Sequence, residues 1–247
     1  MKKFIHKETI LTDIKKAALN IFLLTLEDNQ ISEAINPGQF LQLKIKGKIL
    51  RRPFSIFSRS NNTIKILFRV CGEGTKILSE MKPQSKLDII GPLGNGFPLD
   101  SKSPLFIAGG LGVAPLNFLA NEIKNSGKFI YGTKHENEFV ALSFPETTKH
   151  KIIKISEEKD KKNVCDILPE HLENTDTVYA SGPRKMLKKV ADICTKNKTT
   201  CFITWEERMG CGFGLCQSCA VKTRAGYKMT CADGPVFNIN ELDWHEH

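Results

Sequence analysis

The sequence has no apolar run long enough to cross a bilayer. Its longest apolar stretches are short and broken by charges, whereas a spanning helix needs about 20 consecutive apolar residues. The opening residues, Met1-Lys2-Lys3-Phe4-Ile5-His6-Lys7-Glu8, lack the apolar core of a secretory signal. A cytoplasmic protein with no membrane partner is the expectation. Acidic residues are in deficit, 27 against 36 Lys and Arg, for a formal charge of +9. That surplus does not imply a nucleic-acid partner, because the lysines are scattered and the densest run, Lys159-Asp160-Lys161-Lys162, contains an acid. The run reads as a solvated loop, and the overall basicity suits steering of an acidic partner or a dinucleotide. Internal repeats and low-complexity segments are absent, so neither a solenoid nor a disordered array is expected.

What remains is 247 residues, enough for one large domain or two modest ones. The first hundred residues read as strands. Ala18 to Leu26, Phe40 to Ile45, Thr63 to Val70 and Lys86 to Ile90 are apolar or alternating runs of strand length. Turn signals at Asn36-Pro37-Gly38 and Ser60-Asn61-Asn62 divide them. Closely spaced strands with few helices predict a small antiparallel barrel. Near Ser103 the pattern changes. Leu105 to Ala108, Phe129 to Tyr131, Lys151 to Ile155 and Val178 to Ala180 are further strands. A helix from Ala114 to Asn125 and another opened by Pro183 at its first turn alternate with them. That alternation predicts a parallel sheet with crossovers. Phe202 to Trp205 is the last strand before a cysteine-rich tail. The predicted architecture is a β barrel over residues 1–100, an α/β domain over 101–205 and a tail over 206–247.

The cysteines divide into four dispersed residues, Cys71, Cys165, Cys194 and Cys201, and four crowded ones, Cys211, Cys216, Cys219 and Cys231. In a protein without a signal peptide, metal or cluster ligation is a better reading than disulfides. The crowded set is spaced C-x4-C-x2-C-x11-C. Its first three members match the plant-type run that holds a [2Fe–2S] cluster through four thiolates. Glycines at 210, 212 and 214 let the loop fold tightly and aim N–H groups at the sulfurs. A structural zinc site or buried free thiols are the competing readings, but zinc sites usually show paired C-x2-C arms and only one is present. The 11 residues between Cys219 and Cys231 are too few for a complete ferredoxin domain, so the cluster is expected on a hairpin attached to the rest.

Leu105 to Pro115 reads as a strand, a glycine turn at Gly109-Gly110-Leu111-Gly112, and a helix start. Glycines there allow a pyrophosphate to approach the backbone, and the helix N-terminus offers unpaired N–H groups. A tight turn without a ligand is the alternative, since short glycine motifs are weak evidence. The strand that follows ends at Gly132-Thr133-Lys134-His135-Glu136, with no acid directly at its tip for a ribose hydroxyl and with Lys134 placed for a 2′-phosphate. These residues alone leave NAD and NADP open.

Taken together the motifs resemble the ferredoxin–NADP reductase-like flavoproteins. Arg51-Arg52-Pro53-Phe54-Ser55-Ile56 resembles that family's flavin motif, and Gly72-Glu73-Gly74-Thr75 its second FAD-phosphate motif, opening a helix. Gly91-Pro92-Leu93-Gly94-Asn95-Gly96-Phe97 resembles the interdomain segment, and Ser181-Gly182-Pro183 to Met186-Leu187 the later nucleotide motif. The resemblance implies FAD contacts at Arg52, Pro53, Phe54 and Ser55, at Leu67, Phe68 and Arg69, and at Gly74 and Thr75. It implies dinucleotide contacts at Gly109, Gly110 and Gly112. The broader family has tyrosine where this chain has Phe54, and often cysteine where it has Ser181. Glu206-Glu207-Arg208-Met209, the cysteine loop and Cys231-Ala232-Asp233-Gly234-Pro235-Val236-Phe237 narrow the resemblance to one branch. That branch is the electron-transfer subunits of two-subunit, NAD-dependent dihydroorotate dehydrogenases. It implies FAD, a [2Fe–2S] cluster and NAD as cofactors, an FMN-bearing catalytic subunit as partner in a heterotetramer, and a role in pyrimidine biosynthesis. The reductase subunit of a ferredoxin-dependent NADP transhydrogenase or of a soluble hydrogenase is the enzymatic alternative. A redox-sensing or zinc-binding module is the non-enzymatic one. No catalytic base and no pyrimidine-site motif can be assigned.

Overall fold

The computed structural model describes residues 4–142, 144 and 150–244. Its first half is a closed antiparallel barrel in the order β1-β2-β5-β4-β3-β6, built from β1 (Ile5–Ala18), β2 (Ile21–Glu27), β3 (Phe40–Leu43), β4 (Arg52–Ser60), β5 (Thr63–Arg69) and β6 (Lys86–Leu93). Period-two alternation fills the interior. Leu24 and Leu26, Leu41 and Leu43, Ile64, Ile66 and Phe68, and Leu87 and Ile89 all point inward. Two short helices, α1 (Asn29–Ala34) and α2 (Glu73–Ser79), plug the connections.

Several boundaries differ from expectation. The predicted strand from Ala18 to Leu26 is the end of β1 and most of β2, divided by a tight turn in which Asn20 takes a left-handed φ of 55°. Apart from Ala18, the 14 residues of β1 were not predicted as a strand. Their polar positions pair with β2 along one edge and β6 along the other, so the hydrophobic signal is diluted. β4 was read as a motif and not as a strand, because Arg51-Arg52-Pro53 interrupts its apolar pattern.

The second half contains β7 (Pro104–Gly109), α3 (Val113–Glu122), β8 (Lys128–Thr133), β9 (Lys151–Ser156), α4 (Glu157–Asp160), α5 (Val164–Ile167), β10 (Thr177–Ser181), α6 (Arg184–Lys196) and β11 (Thr200–Thr204). The tail adds a hairpin, β12 (Ala220–Thr223) with β13 (Gly226–Met229), and β14 (Val236–Asn238). The sheet order is β14-β11-β10-β7-β8-β9. Its first five strands by sequence are parallel and β14 is antiparallel to β11. The chain winds from β7 outward to β9, then returns across to β10 and β11. The C-terminal ends of β7 and β10 therefore flank the crevice where such sheets bind ligands.

α3 ends at Glu122, three residues before the predicted Asn125, with Ile123 already extended. Pro183 is the residue before α6 and not its first turn. Lys159 and Asp160 belong to the short α4 and not to a loop, although the run is exposed as expected. β11 stops at Thr204, and beyond the expected hairpin the tail adds a third strand, β14, that was not predicted. The tail, expected to be attached to the rest, shares the α/β core: Val221, Phe237, Ile239 and Leu242 are buried with Leu105, Val178 and Trp205. Among the described residues no helix is long and apolar enough to cross a membrane.

The barrel and the sheet are locked by α3. Phe118 is fully buried among the barrel residues. Asn117 Nδ2 donates to the Phe57 carbonyl at 2.9 Å. Arg59 forks onto the Glu122 carboxylate through two bonds of 3.0 Å and also reaches the Ser32 carbonyl at 2.9 Å. Phe118→Ala should cost about 3–5 kcal/mol by leaving a cavity across this seam. Denaturant unfolding of the FAD-loaded chain measures it; a loss below about 1 kcal/mol would mean that the seam contributes little.

Candidate functional site

A cavity of about 410 Å³ opens on the barrel side of the seam. Eight of the nine residues expected to contact FAD line it: Arg52, Pro53, Phe54 and Ser55 from β4, Leu67, Phe68 and Arg69 from β5, and Thr75 from α2. The ninth, Gly74, lies beside it, since a Cβ built there would stand 3.9 Å from Arg52 Nε. The neighbouring arginines divide their work. Arg51 is committed to β6, donating to the Asp88 carbonyl at 3.0 Å and to its carboxylate at 2.7 Å. Burial would raise the Asp88 carboxyl, but bonds from Arg51 and His6 hold it below its ordinary value. Arg52 bonds to the carbonyls of Leu50 and Arg51 and forms no ion pair among the described residues, so its charge is available to the cavity. Thr75 Oγ1 accepts from the N–H groups of Cys71 and Gly72 at 3.0 and 3.2 Å, fixing the turn that enters α2. Phe68 lines the cavity, yet its ring is packed inside the barrel against Phe22 and Phe54.

A second cleft, of about 660 Å³, lies over the ends of β7, β8 and β10 and includes Gly109, Gly110 and Gly112. The three glycines have different reasons to be glycine. A Cβ at Gly112 would meet the Ser181 carbonyl oxygen at 2.0 Å, and one at Gly109 would meet Met186 Sδ at 2.5 Å. Those two let the tips of β7 and β10 close on each other. Gly112 lines the cleft as well, so close packing against Ser181 adds a structural reason for glycine there. Gly110 has a left-handed φ of 54° and nothing within 4 Å of its missing Cβ, so it is the glycine that leaves open room. Lys134 lines the cleft, with Lys185, Lys189 and Glu157. Ser181 does not. It is buried, and its Oγ accepts from Thr204 Oγ1 at 2.6 Å.

The cavity and the cleft share walls at Arg69, Leu111 and Glu206. Arg69 pairs with the buried Glu138 at 2.6 Å. Glu206 lines both hollows with its side chain open to solvent, and the protein crowded around the carboxyl raises it, with the Arg184 charge opposing. Arg184 also holds the segment in place, donating to the Glu206 carbonyl at 2.9 Å and pairing with Glu207 at 2.6 Å.

The four tail cysteines come together as two pairs. Cys211 and Cys216 exchange N–H···Sγ bonds of 3.3 and 3.5 Å. Cys219 and Cys231 have sulfurs 3.2 Å apart, and the Cys231 N–H donates to Cys219 Sγ. Gly214 N–H reaches Cys231 Sγ at 3.1 Å. Among the described residues no three His, Cys, Asp or Glu side chains converge as a single metal ion needs. Two thiol pairs, each with backbone donors, fit a two-iron cluster, which takes four thiolates. Of the three loop glycines, Gly214 aims its N–H at a sulfur as expected and Gly210 donates to Ser218 Oγ; cysteine N–H groups and Ser218 also bond the sulfurs. Ser218 and those N–H groups lower the Cys216 thiol to about 6. Burial, then the neighbouring Cys219, pushes Cys231 up to about 12. The 11 residues between Cys219 and Cys231 contain the β12–β13 hairpin, as their number led us to expect.

Sequence reasoning missed the roles of Glu206 and Met209 at the FAD cavity and of Lys185 and Met186 in the cleft. All four lie within segments already singled out, Glu206 to Met209 and Ser181 to Leu187, so membership of those segments was the available signal. Arg52→Ala should weaken FAD binding by about 1.5–3 kcal/mol, a factor of roughly 10–100, whereas Arg51→Ala should lower the melting temperature with little change in FAD affinity. Flavin retention and thermal melting of both variants decide; equal flavin loss would remove the distinction. Gly112→Ala should likewise destabilise the fold, while Gly110→Ala should mainly raise the Michaelis constant for NADH, and the reverse pattern would reassign the turn.

Residues 3–97 match the oxidoreductase FAD-binding domain, and residues 206–243 match the iron–sulfur cluster binding domain of dihydroorotate dehydrogenase B. The electron transfer subunit of dihydroorotate dehydrogenase B (NAD(+)) from Caldanaerobacter subterraneus subsp. tengcongensis is 40% identical over 217 residues, covering 84% of this chain and 87% of that one. The corresponding subunit from Clostridium perfringens is 36% identical, with coverage of 85% and 88%. Among solved structures, NADH-dependent reduced ferredoxin–NADP oxidoreductase superposes with a TM-score of 0.84 over 96% of this chain and 90% of that one, at 24% identity, which speaks to the fold alone. The barrel with its arginine-flanked cavity, the glycine-tipped parallel sheet and the paired cysteines are therefore those of a family: this chain belongs to the electron transfer subunits of NAD-dependent dihydroorotate dehydrogenase B.

Proposed function

We propose that this chain carries electrons through three adjoining sites, from the cysteine loop through the barrel cavity to the nucleotide cleft in the physiological direction and in reverse when NADH is the donor. The observation that carries the reading is their contiguity. Phe40 lines the barrel cavity and also packs against Cys219 and Cys231, while Arg69, Leu111 and Glu206 belong to both cavity and cleft. A flavin in the middle supplies the needed conversion, since nicotinamide exchanges hydride and an iron–sulfur cluster single electrons.

The residues divide the tasks. Cys211, Cys216, Cys219 and Cys231 ligate the [2Fe–2S] cluster, with their N–H donors offsetting its negative charge. Arg52 and the turn at Gly74 and Thr75 hold the FAD phosphates. Pro53, Phe54, Ser55, Leu67 and Phe68 wall the ring, and Phe54 does so without a hydroxyl. Gly110 lets the dinucleotide approach the backbone, and Lys185 and Lys189 supply positive charge there. Arg69, fixed by Glu138, and Leu111 keep flavin and nicotinamide in contact and exclude water from between them.

The partner in this reading is an FMN-bearing catalytic subunit that oxidises dihydroorotate to orotate, assembled as a cytoplasmic heterotetramer. Exposed Leu215 and the half-exposed, stacked Phe4 and Phe213 flank the cysteine loop and suit docking. Three lysines of the cleft keep an NADP-linked reductase as the second reading, and a comparison of NADH with NADPH separates the two.

The purified chain should carry one FAD and one [2Fe–2S] cluster and pass electrons from NADH to an artificial dye. Alone it should not oxidise dihydroorotate. Mixed with the FMN subunit it should support NAD-linked orotate formation, and Cys216→Ser should abolish that while sparing FAD and the dye reaction. Dihydroorotate oxidation by the isolated chain, or zinc without sulfide on analysis, would overturn the assignment.

A further inference from the structure

β3 breaks the alternation rule on its outer face. Leu41 and Leu43 point into the barrel, and Phe40 and Gln42 point away from it. An outward polar residue of such a barrel belongs in water, yet Gln42 is 0% exposed. The cysteine loop covers it. Gly212 has a left-handed φ of 88°, and a Cβ built there would stand 2.6 Å from Gln42 Nε2 and 3.1 Å from Cδ. Under that loop neither Nε2 nor Oε1 of Gln42 has a hydrogen-bond partner. Gln39, by contrast, donates its amide to the Gly94 carbonyl at 2.9 Å.

A buried carboxamide without partners is costly and calls for a missing acceptor or donor. The position identifies the acceptor. Gly212 follows Cys211 directly, and Phe40, two residues before Gln42 on the same face of β3, packs against Cys219 and Cys231. Thiolate and sulfide sulfurs accept hydrogen bonds and would lie beside the amide. A second orphan shares the address: Thr230, fully buried with its hydroxyl unpartnered, immediately precedes Cys231.

We propose that Gln42 donates an Nε2–H hydrogen bond to a sulfur of the cluster, making a barrel residue part of the cluster's surroundings and a setter of its potential. The inference rests on the assignment of the four tail cysteines as ligands. A donor at a sulfur favours the more negative, reduced state, so its loss lowers the midpoint potential. The covered amide also fixes where the loop sits on β3, and with it the path from the cysteines to the flavin cavity.

The test uses the whole chain with FAD and cluster bound. Gln42→Leu keeps the bulk and removes the donor; Gln42→Glu removes the donor and adds negative charge. Both should shift the cluster midpoint potential downward in an EPR-monitored titration, the glutamate variant further, with FAD content unchanged. A leucine variant with full iron and sulfide and an unaltered potential and EPR spectrum would overturn the proposal. A second measurement needs no change at Gln42. Glutamine side chains labelled with heavy nitrogen, in a Gln217→Gly background that removes the amide within the loop, should show nitrogen hyperfine coupling to the reduced cluster. A cluster-loaded protein without that coupling also overturns it. A preparation lacking iron and sulfide would instead sink the ligand assignment.

Discussion

The seam between the barrel and the parallel sheet is the constraint on which the other features depend. A flavin relay works only if its neighbours stay at fixed short range, and neither domain alone contains both neighbours. α3 sets that range. Its first turn follows the glycine loop at the dinucleotide cleft, its last residue Glu122 receives the Arg59 fork, and between them Phe118 is buried among the barrel side chains. Because one ten-residue helix touches the cleft at one end and the barrel along its length, the cavity and the cleft cannot drift apart without breaking buried contacts.

The cysteine loop is tied down from two sides. Its hairpin and final strand join the α/β core through Val221 and Phe237, and β14 pairs with β11 as an edge strand. The loop itself lies on the outer face of β3, where Phe40 meets Cys219 and Cys231. A tail stitched into one domain and resting on the other belongs to neither by itself, and the division at residue 206 suggested by composition cuts through a shared core.

Much of the fold was legible wherever periodicity was strong. The alternating cores of β2, β5 and β6 and the apolar strands β7 and β8 were placed to within a few residues. β1 was not legible, because a barrel strand paired on both sides can be polar along most of its length and still be a strand. β14 was not legible either: three residues give no period, and only the pairing with Phe202, Ile203 and Thr204 makes them a strand. At the site, motif spacing brought the cofactor candidates to two adjoining hollows. What spacing does not carry is the choice between equivalent residues. Arg51 and Arg52 are neighbours of one type, and only the position of Asp88 decides which of them is structural. Gly110 and Gly112 are likewise alike until the Ser181 carbonyl is known to lie against one of them.

The positions where local rules fail concentrate at the three sites. Arg52 has no ion-pair partner among the described residues, and Gly110 takes a left-handed backbone with empty space beside it. Other buried or partly buried polar groups are matched: His150 is buried but bonds through both ring nitrogens, to the Gly127 N–H and the Ala120 carbonyl, and Asp176 answers the N–H groups of Lys102 and Ser103. A sequence under selection for stability alone would remove the first set and keep the second. That the unmet charge, space and polarity lie along one line, from cysteine loop to glycine turn, is the physical trace of groups that complete this chain when bound.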